Sequence, residues 1–256
     1  MRIIDFHTHP GWNTTKDFGY DMTNERYISM LKKAGITMSC GSLIDYPYFR
    51  LEVSEYETLI PELNRKVWVL QEQYPDFYIP GIHIHPNFVE MSLEQLRLHK
   101  ARGGKLVGEL VGYLMQYDSF ITAEYMGLFE TCRDLGMVLS LHQLSVAEAE
   151  VIAAAFPTMP VVMAHPDYKT KYYEKLEALG KYHNLYLDLS GAGTNITGML
   201  RYGVDNVGAE HFLFGTDFPA YNPAMYVHSV LYEELTDRQR EMILWRNAAG
   251  ILQLAD

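Results

Sequence analysis

The sequence contains little cysteine and has a deficit of basic residues. Only Cys40 and Cys132 occur in 256 residues, too few and too far apart for a disulfide framework or a thiolate metal cluster. We interpret both as small buried hydrophobic residues. Lys and Arg number 21 against 32 Asp and Glu, which leaves a formal net charge of −11. Because nucleic-acid binding requires a basic face to neutralise phosphates, this charge argues against a nucleic-acid partner.

Long apolar runs are also missing. No uninterrupted apolar stretch approaches the roughly 20 residues of a membrane span, and the start of the chain has neither a signal-peptide core nor a small-residue cleavage site. We therefore expect a cytoplasmic protein with no membrane partner. Hydrophobic residues make up 48% and charged residues 21%, close to average globular usage, which excludes disordered and fibrous architectures.

Short β-branched runs alternate with amphipathic segments along the whole chain, which we interpret as one domain, residues 1–256. The alternation predicts an α/β fold, a (β/α)₈ TIM barrel, since a doubly wound sheet needs fewer strands at this length. Ser92, Ser145 and Thr236 have the spacing of capping boxes, and Gly35, Gly103 and Gly136 the position of helix C-caps. The expected strands are residues 2–6, 36–43, 77–84, 105–111, 137–141, 161–164, 185–189 and 211–215.

The sharpest local motif is Asp-Phe-His-Thr-His at residues 5–9. Residues two apart on a strand point the same way, so His7 and His9 can converge on one ion. Neutral imidazole suits zinc and similar divalent metals. An HxH motif alone is weak evidence, because His83 and His85 form a second one in the same chain.

Position adds information, because the reactive groups of an α/β barrel lie at the carboxyl ends of its strands. Candidate ligands follow or end five of the expected strands, so four histidines and two carboxylates would surround one mouth of the barrel. They are His7, His9, Glu109, His142, His165 and Asp217.

Together these motifs resemble the amidohydrolase superfamily, in particular its amidohydrolase-related branch of small, slightly distorted barrels. The matching segments run in family order from residue 5 to about residue 250. After the first motif they are Val-Gly-Glu-Leu, Ala-His-Pro, Leu-Asp-Leu-Ser-Gly, Phe-Gly-Thr-Asp-Phe-Pro and a closing Arg-Asn-Ala-Ala. The resemblance is specific for superfamily and fold and poorly specific for substrate.

The resemblance implies that His7, His9 and Asp217 hold one metal ion and that His142 and His165 hold a second. Glu109 occupies the position where many members carry a carboxylated lysine or a glutamate that bridges two ions. Lys105 lies four residues earlier, about 13 Å down the strand, so we expect Glu109 to be the bridge. A site with one ion, in which His142 or His165 acts on substrate instead, stays open.

The implied chemistry is attack by a water molecule whose pKa a divalent metal lowers from about 15.7 towards 7. Asp217 would accept the proton of that water, and His142 or His165, where it is not bound to metal, would stabilise the developing oxyanion. We expect zinc, with two ions favoured over one, although Mn, Fe and Co accept the same ligand types.

Weaker candidates follow other strands. His85, Tyr113 and Gln116 are candidate substrate contacts, with a loop histidine hydrogen-bonded to the backbone as the alternative for His85. Trp12, Tyr46 and Tyr48 are candidates for the pocket wall, and Arg50 and Lys169 for recognition of an anionic substrate or for solvated surface charge. For Asp188 and Ser190 we expect a role in orienting a ligand or a loop, and Asp5 we interpret as structural.

The leading functional hypothesis is a metal-dependent hydrolase of a small-molecule amide, ester or lactone bond. The first alternative is a zinc-dependent decarboxylase of the same branch, with one ion and no bridging glutamate, against which Glu109 counts. The second is a nuclease similar to the TatD type, against which the charge of −11 counts. A non-catalytic relative is disfavoured by the intact set of six candidate ligands. The many Tyr and Met residues are compatible with a homodimer, and the oligomeric state stays open.

Overall fold

Eight short parallel strands pair in chain order, β1 to β8. The computed structural model describes residues 1–12, 15–44, 51–142 and 145–255, so Tyr46, Tyr48 and Arg50 lie outside the described residues. Each strand falls within its predicted segment. The strands are β1 Ile4–Asp5, β2 Met38–Gly41, β3 Tyr78–Ile82, β4 Leu106–Leu110, β5 Val138–Leu141, β6 Val161–Met163, β7 Leu185–Asp188 and β8 Phe212–Leu213.

The sheet curls until the chain beyond β8 meets the chain beyond β1. The amide of Phe6 donates to the carbonyl of Phe214 at 2.8 Å, and the amide of Asp217 donates to the carbonyl of His7 at 2.8 Å. Thr8 and Phe218 form a parallel bridge. These bonds confirm the predicted (β/α)₈ barrel, and they hold His7 beside Asp217 at the seam.

Helices alternate with the strands. A π-helical turn at Met242–Arg246 joins the last two helices of the chain. The helices are α1 Asn24–Lys33, α2 Tyr56–Gln73, α3 Val89–Ala101, α4 Gly112–Met115, α5 Ala123–Asp134, α6 Val146–Ala155, α7 Thr170–Lys181, α8 Met199–Val207, α9 Pro223–Tyr232, α10 Asp237–Glu241 and α11 Asn247–Leu252. No helix among the described ranges is long and apolar enough to cross a bilayer.

The predicted helix ends are mostly confirmed. Thr236 forms a complete capping box with Gln239, and the Ser145 side chain caps α6. The prediction for Ser92 was wrong, because this residue lies inside α3. Its hydroxyl instead bonds the backbone amide and carbonyl of His85 at 2.8 and 3.0 Å.

Two buried clusters organise the core. The larger one packs the outer faces of the strands against the helices. The smaller one joins Ile4, Leu106 and Val138 to Trp245 and Ala248 of the C-terminal helical segment. Since that segment covers the amino-terminal end of the barrel, the polar site lies at the opposite end. Both cysteines are free and fully buried, as predicted.

Candidate metal centre

Two histidine nitrogens and two carboxylate oxygens converge at the seam between β1 and β8. The Nε2 atoms of His7 and His9 are 3.0 Å apart, and each lies 3.3 Å from Oε2 of Glu109. Oδ1 of Asp217 is 3.9 Å from the His7 nitrogen and 3.6 Å from the His9 nitrogen. We call these four residues the seam cluster.

A second group of ligand atoms faces the other oxygen of Glu109. Oε1 of Glu109 lies 2.7 Å from Nδ1 of His142 and 3.7 Å from Nε2 of His165. The two histidine nitrogens are 3.1 Å apart. We call Glu109, His142 and His165 the inner cluster. Glu109 therefore belongs to both clusters, with one oxygen turned towards each.

Hydrogen bonds on the far side of the rings orient the seam histidines. Nδ1 of His7 donates to Oδ2 of Asp188 at 2.9 Å, and Nδ1 of His9 donates to the carbonyl of Ser42 at 3.1 Å. A ring whose Nδ1 carries the proton presents Nε2 as a bare lone pair. In the neutral ring, which is the form that binds a metal ion, both Nε2 atoms are therefore acceptors that face the cluster.

This donor set fits a divalent cation. With both rings neutral, the seam cluster brings two imidazole lone pairs and two carboxylate oxygens together with no donor among them, in a region where His7, His9 and Glu109 are almost fully buried. Burying hydrogen-bond acceptors without a donor or a cation beside them lowers the stability of the folded state. Imidazole nitrogen together with carboxylate oxygen is the ligand set of zinc and related metals.

Electrostatic coupling within the clusters is strong. Burial lowers the pKa of His7, but the charges of Glu109 and Asp188 outweigh this effect and raise it well above its usual value. Burial raises the pKa of Glu109, but His142 and His7 hold it well below its usual range. The carboxylates thus remain ionised. Without an ion, a proton on His7 offsets part of their charge, and a bound divalent ion would replace that proton.

The backbone near the ligands adopts conformations that few residues tolerate. Gly108 has a φ of +108°, and a Cβ there would meet the carbonyl oxygen of Ser140 at 2.1 Å. Only glycine therefore lets β4 approach β5 closely enough to place Glu109 beside His142. His165 and Asp217 have φ values of +60° and +59°, a left-handed conformation typical of constrained functional positions.

Lys175 of α7 holds the turn that presents His165. Its side chain is only 4% exposed, and its ammonium donates to the carbonyls of Ala164 and His165 at 3.3 and 2.5 Å. A third bond joins it to Oδ2 of Asp167 at 2.7 Å. Burial lowers the pKa of Lys175, and the three acceptors compensate for the loss of water.

Of the predicted substrate contacts, Tyr113 lies at the mouth. It is 62% exposed, and its ring packs edge-on against His142 with the centroids 5.3 Å apart. Nε2 of Gln116 donates to the carbonyl of Leu51 at 2.5 Å, so this amide nitrogen is engaged in a contact between loops. The indole ring of Trp12 packs against His9 at 5.6 Å.

His85 is fully buried. Its Nε2 donates to the carbonyl of Met115 at 2.8 Å, and its Nδ1 accepts from the amide of Asn87 at 3.2 Å. Both ring nitrogens thus bond the backbone. This arrangement favours the backbone-bonded alternative over substrate contact.

Sequence reasoning missed Ser42 and Lys175. Ser42 orients His9 through its main-chain carbonyl, which no side-chain pattern reveals. Lys175 did carry a signal, because it shares the buried stripe of α7 with Tyr172, Leu176 and Leu179. A lysine within such a stripe needs buried acceptors. The orienting role expected for Asp188 matches its contact with His7.

Comparison with known proteins places the chain in a family. The family model described as amidohydrolase matches residues 4–254. The chain belongs to the amidohydrolase family. This membership confirms the predicted resemblance, and together with the His and carboxylate clusters it supports a divalent metal in this chain. A search of curated proteins gives no significant match.

Solved structures share the fold of this chain at low identity. A TIM-barrel protein from Bordetella bronchiseptica matches 99% of each chain at 18% identity and a TM-score of 0.77. A 2,6-dihydroxybenzoate decarboxylase from Rhizobium matches 99% of this chain and 98% of its own, at 12% identity and a TM-score of 0.73. A 5-carboxyvanillate decarboxylase from Novosphingobium aromaticivorans, bound to manganese, matches 98% of this chain and 96% of its own, at 13% identity and a TM-score of 0.75.

Proposed function

We propose that the protein is a metal-dependent hydrolase that holds two divalent ions, zinc being the expected one, and cleaves an amide, ester or lactone bond of a small molecule. The observation that carries the proposal is the orientation of Glu109, whose Oε2 faces His7 and His9 while its Oε1 faces His142. A carboxylate in this position offsets the repulsion between two cations, whereas a site with one ion has no need of the second oxygen.

The residues of the chain would divide the work. The bound ions supply Lewis acidity, which makes water reactive at neutral pH. Asp217, whose side chain is 11% exposed, is the cluster carboxylate with access to the mouth, and it would accept the proton of the attacking water and pass it to the leaving group. Tyr113 would line the mouth above His142 and contact the substrate.

Decarboxylation by one ion is the second candidate, and the fold comparison favours it. Decarboxylases from Rhizobium and Novosphingobium share the whole barrel. His7, His9 and Asp217 are sufficient to hold one ion, and His142 and His165 would then be free to donate a proton to substrate. Manganese in the second relative makes manganese an alternative to zinc.

Isotope transfer from solvent distinguishes the two reactions. The protein would be loaded with zinc or manganese, its metal content measured per chain, and then offered aryl esters, lactones and N-acyl amino acids beside ortho-hydroxybenzoates. A hydrolase incorporates ¹⁸O from labelled water into its product. A decarboxylase releases carbon dioxide and takes deuterium from D₂O into a C–H bond.

Two ions per chain with ¹⁸O incorporation is the expected result, and Asp217→Asn should abolish turnover while most of the metal is retained. One ion per chain with carbon dioxide release would contradict the hydrolase proposal and favour the decarboxylase.

A further inference from the structure

The hydroxyl of Ser190 connects three polar groups behind the metal centre. Ser190 follows β7 and is fully buried. Its Oγ lies 3.0 Å from Nδ1 of His7 and 3.0 Å from Nδ1 of His165, and it bonds Oδ1 of Asp188. It thus touches one histidine of the seam cluster and one of the inner cluster.

Counting protons fixes the direction of these bonds. Asp188 accepts at Oδ2 from the His7 ring and at Oδ1 from the backbone amide of Ser190, at 2.9 and 3.0 Å. A carboxylate that accepts from two N–H groups offers no proton itself. The single hydroxyl proton of Ser190 is therefore donated to Asp188. The Ser190 oxygen can then only accept from His165, so Nδ1 of His165 carries the proton.

We propose that Ser190 is a positioning residue that selects the tautomer of His165. The proton on Nδ1 leaves Nε2 bare, and Nε2 faces His142 and Glu109 in the inner cluster. The role of this lone pair as a ligand of the second ion rests on the proposed function, whereas the tautomer itself does not. Through Ser190, the single carboxylate of Asp188 supports both His7 and His165.

The ring of His165 is also confined sterically, so the bond to Ser190 governs the tautomer in a fixed geometry. Gly191 has a φ of +64°, and a Cβ there would lie 2.4 Å from Nδ1 of His165. The ring therefore packs directly against the backbone of Gly191. Lys175 independently holds the His165 carbonyl. Loss of the Ser190 hydroxyl should consequently change where the His165 proton resides rather than where the ring lies.

Nitrogen NMR reads the tautomer directly. The protein, labelled with ¹⁵N-histidine and stripped of metal at pH 8, would be compared with Ser190→Ala and with Ser42→Ala. Ser42 is a matched control, since its buried hydroxyl bonds the Glu109 carbonyl at 3.1 Å and touches no histidine nitrogen. The His165 signals are assigned by their loss in His165→Gln. Calorimetric titration with zinc then measures the affinity for each ion.

We expect wild type and Ser42→Ala to show His165 protonated at Nδ1. In Ser190→Ala the population should shift towards Nε2–H, and the second ion should bind at least about 10-fold more weakly, as is typical when a partner of a metal ligand is lost. A wild-type protein with Nε2–H, or a tautomer unchanged in Ser190→Ala, would overturn the proposal. A shifted tautomer with unchanged affinity for a second ion would overturn its link to metal binding. If only one ion binds, the binuclear proposal fails, and the NMR comparison still decides the role of Ser190.

Discussion

His142 approaches Glu109 with Nδ1, at 2.7 Å from Oε1, whereas His7 and His9 present Nε2 to the same carboxylate. This difference matters because Nδ1 is the nitrogen through which the other histidines are anchored to Asp188 and Ser42. Among the described residues, no hydrogen bond to Nε2 of His142 is found. Within the described part of the chain, the hydrogen bonds of His142 thus orient it only from the metal side.

We expect the two ions to bind in two separate steps. The seam cluster offers four ligand atoms, two of them on histidines that hydrogen bonds anchor, and the inner cluster offers three, one of them on His142. Preorganised ligands lose less entropy on binding, so the seam ion should bind more tightly. Calorimetric titration of the stripped protein with zinc measures both constants. Equal affinities at the two positions would contradict this order.

Glu109→Gln should weaken or release one ion and lower turnover by at least about 10²-fold. The variant keeps the size of the side chain but removes the charge that both clusters share, and general-base or electrostatic groups typically contribute rate factors of this order. Metal content and rate would be measured together, with Glu62→Gln, an exposed glutamate on α2, as the control. Full activity with both ions retained would refute the bridging role.

Lys175→Met should lower the free energy of unfolding by about 1.5–3 kcal/mol, the range of hydrogen bonds to charged groups. The variant leaves the carbonyls of Ala164 and His165 without their buried donor. Lys181→Met is a matched control on the same helix, because Lys181 pairs with Glu150 at the surface and such pairs contribute below about 1 kcal/mol. Urea denaturation of the metal-free protein measures the free energy of unfolding of both variants against wild type. Equal losses in the two variants would show that burial of Lys175 is unimportant.

Stability should fall as the pH drops from about 6.5 to 4, partly because of His99. Burial lowers the pKa of this side chain from 6.5 to about 4. Above pH 6.5 His99 is neutral in both states and has no effect. Between pH 6.5 and 4 the unfolded chain takes up a proton that the folded chain rejects, which favours unfolding by up to about 3 kcal/mol.

His99→Leu should therefore flatten the pH dependence of unfolding in this window, measured by urea denaturation at several pH values. His228→Leu, at an exposed position on α9, is the control. A pH dependence as steep in His99→Leu as in wild type would exclude His99 as a contributor.

Much of this architecture could be predicted from the sequence, because its signals are local. The β-branched runs place every strand, and the carboxyl end of each strand lies at a known end of a barrel, so His7 and Asp217 could be assigned to one mouth although they are distant in the chain. What sequence reasoning could not reach depends on geometry between neighbours. The short distance between His142 and Glu109 depends on a close approach at Gly108, and the contact between Ser42 and His9 uses a carbonyl that every residue possesses.

The seam cluster also ties the two ends of the chain together. Its histidines follow the first strand and Asp217 follows the last, so an ion bound there would close a loop of about 200 residues. Constraints on long loops remove the most conformational freedom from an unfolded chain. During synthesis from the amino terminus, His7 and His9 emerge long before Asp217. The complete site can therefore form only after β8 has docked, so acquisition of the seam ion would mark the final step in closing the barrel.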